Sequence, residues 1–236
     1  MNPALPAAAD LALFVALPYT ALVLFLVVSI QRYRSRPFTY SSLSSQFLEN
    51  RVHFWSLVPF HYGLLGVLTL HALATLVPSG LLLFARVPLR LYLLEATGFT
   101  LGLLALLGFA GALLRRFSSV KVTVVTSPAD LALFALLLFQ IVTGLFVALL
   151  RPWGYAWFSA VLAPYLWSLA KLSPDIGGVS ALPWLVQLHV ANAFLITAIF
   201  PFTRLVHLIV APLPYLWRRP QVVRWYRRPA EGGAKP

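Results

Sequence analysis

Cysteine is missing from all 236 residues. Disulfides, thiolate-held zinc or iron–sulfur clusters, and haem attached through a C-x-x-C-H motif are therefore excluded. The single methionine is Met1, which removes a thioether ligand from the body of the chain. Charge is scarce too. Asp, Glu, Lys and Arg together make up 10% of the residues, against about 25% in a soluble globular domain. The chain shows no internal repeat and no low-complexity stretch.

What fills the sequence instead is apolar. Hydrophobic residues account for 60% and the mean hydropathy is +0.84, values that define an all-α integral membrane protein. Five segments reach the roughly 20 residues needed to cross a bilayer: 11–30, 57–77, 91–114, 131–150 and 182–210. The first lacks a basic leader and is full length, so it reads as a retained span and not a cleaved signal peptide. Pro18 within it is tolerable in a membrane helix. Before the fourth span, Ser127-Pro128-Ala129-Asp130 reads as a helix start: Ser127 caps, Pro128 suits the first turn, and Asp130 complements the positive helix end. The shorter apolar piece Tyr155–Ala170 contains Pro164 and several Trp and Tyr residues, and is expected at the membrane interface. The whole chain, 1–236, reads as one transmembrane domain ending in a basic tail, 211–236.

The net charge of +12 would suit nucleic acid, but its distribution suits a membrane better. Arg32, Arg34, Arg36, Arg51, Arg115, Arg116, Lys121, Arg218, Arg219, Arg224, Arg227, Arg228 and Lys235 all fall in one set of loops. The other set holds only Arg86, Arg90, Arg151 and Lys171. Cytoplasmic loops carry the excess of Lys and Arg, which puts the N-terminus outside and the C-terminus in the cytoplasm. Binding to nucleic acid is not expected.

Ionisable groups inside the spans are the functional signal. The fifth span carries His189, Arg204 and His207; the second carries His61 and His71. At 3.6 residues per turn the two histidines of the fifth span are five turns apart, so they share one face of one helix and lie roughly 27 Å apart along the axis. His61 and His71 are separated by roughly 15 Å and differ in direction by about 80°, so tilt between the helices must absorb the mismatch. Opposite chain directions pair His71 with His189 at the outer side and His61 with His207 at the inner side. Two imidazoles on opposite faces of a porphyrin iron make an electron carrier. The plainer reading of a lone membrane histidine is a hydrogen bond to a neighbouring helix. His53, beside Arg51, reads as a surface histidine. Arg204, one turn from His207, either pairs with a haem propionate or extends to the cytoplasmic headgroups.

Three blocks carry a family resemblance. They are Ser44-Ser45-Gln46 with Phe60-His61 through His71, then Leu113-Leu114-Arg115-Arg116 continuing to Ala129-Asp130, and Leu188-His189 through Phe200-Pro201-Phe202-Thr203-Arg204 to His207 and on from Pro212 to Arg224. With these the chain resembles the gamma subunit of respiratory nitrate reductase, a dihaem cytochrome b. The resemblance implies a bacterial or archaeal plasma (inner) membrane protein with two haem b groups, the outer held by His71 and His189 and the inner by His61 and His207. It implies a cytoplasmic iron–sulfur (beta) subunit and a molybdenum catalytic (alpha) subunit as partners, with nitrate reduced on the latter. Quinol, menaquinol or ubiquinol, would be oxidised near the outer face, and electrons would pass from outer to inner haem and on to the iron–sulfur subunit.

The family's outer quinol site uses a basic residue after the second span. No lysine stands there; Arg86 and Arg90 are the nearest candidates for the quinone oxygen, and Glu95 for the proton, although such residues also serve simply at the water interface. The tail from Pro214 to Arg228 mixes cations with aromatics, suited to docking the soluble subunits or lying on anionic lipid. Two other readings stay open: a quinol-oxidising dihaem anchor for a heterodisulfide- or sulfite-type reductase, and a haem-free transporter or scaffold.

Overall fold

The computed structural model describes residues 7–40 and 51–210. The side chain of His53, the Ser44–Gln46 block and the tail 211–236 lie outside the described residues. Five helices have the length and composition to cross a membrane. They are α1 (Ala8–Ser35), α2 (Arg51–Leu76), α4 (Pro88–Ser118), α5 (Pro128–Leu150) and α7 (Trp184–Phe202, regular α-helix over Trp184–Ile199). Two shorter helices, α3 (Pro78–Phe84) and α6 (Phe158–Ala170), sit at one end. Large apolar side chains such as Val23, Leu26, Val27 and Ile30 face outward, while Thr143, Gln187 and Asn192 are buried. Exposed apolar surface on this scale is a surface for lipid.

Between helices in lipid the hydrophobic effect supplies little, and close packing and polar contacts take over. The α2–α4 pair shows this. A Cβ on Gly63 would lie 2.5 Å from the backbone N of Ala105, and one on Gly108 would collide with the backbone of Phe60. Only glycine lets these backbones meet. Phe60 and Phe109 then pack with Leu133, Leu137 and Ile141 of α5 into the central core.

The capping expected at Ser127 is present. Ser127 Oγ accepts from the Asp130 backbone N–H, and the Asp130 carboxylate accepts from the Ser127 N–H. Pro18 cannot donate to the carbonyl four residues back, and that carbonyl, on Phe14, accepts instead from the Tyr165 hydroxyl at 2.9 Å. The Trp167 indole donates to the carbonyl of Thr75 in the last turn of α2 at 2.8 Å, an otherwise orphaned acceptor. Through such bonds α6 is more than a surface helix: Leu162, Tyr165 and Leu169 form a buried core with Phe14, Val186 and Val190.

The fifth span departs from the single helix assumed above. Regular α-helix stops at Ile199. A short 3-10 turn, Phe200–Phe202, follows, Thr203 is extended, and a second 3-10 segment covers Arg204–Leu208. Pro201 ends the ladder because it lacks an N–H and its ring crowds the preceding turn. The five-turn, same-face argument for His189 and His207 therefore does not hold. His207 reaches its position because the chain is redirected.

Candidate metal centres

The redirected segment is held from two sides. Arg32, at the end of α1, donates through Nη1 to the carbonyls of Pro201 at 2.6 Å and Thr203 at 3.1 Å. Arg204 reaches α5, pairing Nε with Asp130 Oδ1 at 2.8 Å and Nη2 with Asp130 Oδ2 at 2.9 Å, and it also donates to the Val125 carbonyl. Asp130 is buried, and Arg116 stands 3.9 Å from the same carboxylate. The Arg204 carbonyl in turn accepts from His207 Nδ1 at 2.6 Å. One residue thus anchors the segment by its side chain and orients the imidazole by its backbone.

His207 faces His61, with ring centroids 6.4 Å apart and planes at 68°. His61 Nδ1 donates to Leu57 O at 2.7 Å, and His71 Nδ1 to Val67 O at 2.8 Å. A carbonyl can only accept, so in His61, His71 and His207 the hydrogen sits on Nδ1, and Nε2 carries the lone pair that a metal could take. Two imidazoles sharing one ion from opposite sides, each bonded at about 2 Å through one nitrogen, would place their ring centres roughly 6 Å apart. The His61–His207 pair fits that requirement, and rotation about the ligand axis leaves the 68° angle unconstrained. His71, toward the C-terminal end of α2, and His189, in the first turns of α7, lie nearer the other end of the bundle; the Phe158 ring meets His71 edge-on at 5.2 Å. Among the described residues no group of three or more His, Cys, Asp or Glu converges as a protein-only metal cage. Paired imidazoles suit an iron whose equatorial ligands come from a porphyrin.

The remaining candidates lie at the α6 end. Arg86 and Arg90 are exposed, and the Arg90 guanidinium stands 5.5 Å from the centre of the Phe84 ring. Glu95 is half-buried, and its carboxylate lies against Gly154. The structure does not gather these three into one pocket with the histidines.

Sequence reasoning missed a polar cluster on α5 and α7. Gln140, Thr143 and Asn192 surround His189 or its partners. The signal was available: an amide inside an apolar span needs a partner, and both Gln140 and Asn192 sit among Leu, Ile, Val and Phe.

A helical membrane protein of five spans, with the imidazoles of His61 and His207 brought close together, is the class that fold and site define. The family is narrower. Residues 10–226 match the family described as nitrate reductase gamma subunit, and the chain belongs to it. It is 28% identical over 211 residues to the nitrate reductase gamma chain of Bacillus subtilis, covering 88% of this chain and 95% of that one. It is 30% identical over 214 residues to the respiratory nitrate reductase 2 gamma chain of Escherichia coli, covering 88% and 93%. A nitrate reductase-like protein, NarX, of Mycobacterium tuberculosis is 29% identical over 206 residues, 85% of this chain but 32% of its own length. The chain is accordingly a multi-pass inner-membrane subunit with an anchoring and electron-transferring role in nitrate respiration, part of an oxidoreductase complex.

Proposed function

We propose that the chain binds two haem b groups, one between His61 and His207 and one between His71 and His189, and oxidises quinol near the outer membrane face. The observation that carries this reading is the His61–His207 separation of 6.4 Å, together with Nδ1 hydrogen bonds that leave Nε2 to the metal. When bound, the haems supply one-electron relays between the two membrane faces.

The chain's own residues do the rest. Asp130, Arg204 and Arg32 hold His207 in place. Phe158 and α6 cover the His71 end. Arg86 or Arg90 contacts the quinone oxygen, and Glu95 takes a proton, which leaves on the outer side. The N-terminus lies outside and the C-terminus in the cytoplasm, as the distribution of Arg and Lys favours. On that side the basic tail 211–236 meets an iron–sulfur subunit and, beyond it, a molybdenum subunit on which nitrate is reduced. Arg204 serves the inner haem through His207; its Nε and Nη2 are taken by Asp130, which favours a positioning role over a propionate contact.

Purifying the chain from cells supplied with haem, and recording reduced-minus-oxidised spectra with a haem count, tests the reading. Two b-type haems per chain are expected; a colourless protein overturns it.

A further inference from the structure

His189 differs from the other three membrane histidines. His61, His71 and His207 each direct Nδ1 at a backbone carbonyl of their own segment. His189 Nδ1 instead meets a side chain on another helix, Thr143 Oγ1 of α5, at 2.9 Å.

The direction of that bond follows from its surroundings. Asn192 Nδ2 lies 3.0 Å from the Leu136 carbonyl, which can only accept, so the Asn192 amide nitrogen is fixed on that side. The same nitrogen donates to Gln140 Oε1 at 2.6 Å. Gln140 therefore turns its NH2 toward His189, donating to His189 Nε2 at 3.1 Å. An imidazole nitrogen that accepts carries no hydrogen, so the hydrogen of His189 is on Nδ1. The Thr143 hydroxyl donates its own hydrogen to the Phe139 carbonyl at 2.7 Å and offers a lone pair to His189 Nδ1–H. Each of these bonds then runs from a donor to an acceptor, and Nε2 is the nitrogen left for a metal in place of the Gln140 amide. Gly144 makes the approach possible, because a Cβ there would lie 2.9 Å from His189 Cε1.

We infer that Thr143 is a positioning residue for His189, fixing its tautomer and electron-donating strength through the Nδ1–H···Oγ1 bond. The inference rests on the reading of His189 as a ligand of the outer haem. An acceptor on the distal nitrogen makes an imidazole ligand more basic and favours the oxidised metal. Because the acceptor is a side chain, this ligand's basicity can be changed by substitution, whereas a backbone acceptor cannot be removed that way.

The test is a potentiometric titration of both haems in the intact complex. Thr143→Val keeps the shape and removes the acceptor; Thr143→Ala does so with less bulk, should valine impair assembly. In either variant the midpoint potential of the outer centre is expected to rise, with the inner centre unmoved, and Thr143→Ser is expected to restore the original value. An unmoved outer potential in Thr143→Val or Thr143→Ala, or an equal shift in Thr143→Ser, overturns the role of Thr143. His189→Ala in the same background separates the two claims: if both centres survive it, His189 is not a ligand and the reading beneath the inference fails.

Discussion

Asp130 and Arg204, 74 positions apart in the chain, form a two-point ion pair. Its effect falls on His207, whose Nδ1 donates to the Arg204 carbonyl. Breaking a fully buried pair costs about 3–5 kcal/mol; Arg204 is only partly buried and keeps the Val125 carbonyl, so the cost here is smaller. Asp130→Ala is therefore expected to lower the thermal midpoint of the protein and to weaken retention of the inner haem more than the outer. Heating purified membranes while following both haem bands checks this; equal loss of the two centres goes against it.

The α2–α4 contact makes a second prediction. Gly63 and Gly108 face backbone and not flexible side chains, so the neighbours cannot yield. Gly108→Ala is expected to cost about 1–3 kcal/mol, the usual range for overpacking. Because α2 carries both His61 and His71, the same substitution should disturb both haem spectra. Gly80→Ala, where the nearest atoms belong to the Val77 side chain, is the control and should leave both unchanged.

Tyr165 gives a prediction in pH. Its hydroxyl donates to the Phe14 carbonyl, and burial pushes the phenol above its ordinary range. A folded-state value raised above the unfolded one gives stability that is fully present below the unfolded pKa and is lost as pH rises through the folded one. The contribution should be flat from neutral pH up to about 10, the ordinary tyrosine value, and decline above it. Tyr165→Phe should remove the alkaline decline and cost about 1–3 kcal/mol at neutral pH through the orphaned carbonyl. Unfolding in detergent across pH 7 to 11 measures both.

Much of this was legible in the sequence, for physical reasons. Bilayer thickness sets the length of a span, so five apolar runs gave five helices, and the Ser127–Asp130 cap was readable because its residue types and spacing are its mechanism. The His61–His207 pairing emerged from chain direction alone. The fifth span is not one helix, and hydropathy averaged over a span cannot see the break: Pro201 sits among apolar neighbours, and its missing N–H and its ring end the helix there. For Arg204 the sequence offers a propionate or a lipid headgroup and not Asp130, because that partner belongs to a cap far along the chain. Thr143 gave no signal of its own, since a threonine in a membrane helix ordinarily bonds to its own backbone, as Thr69 and Thr75 do.

The most direct test is to replace each membrane histidine by alanine and count the haems by redox titration. His61→Ala and His207→Ala should each abolish one and the same centre, and His71→Ala and His189→Ala the other. If His71→Ala and His207→Ala remove the same centre, or if any of the four leaves both centres intact, the account of two imidazole pairs is wrong.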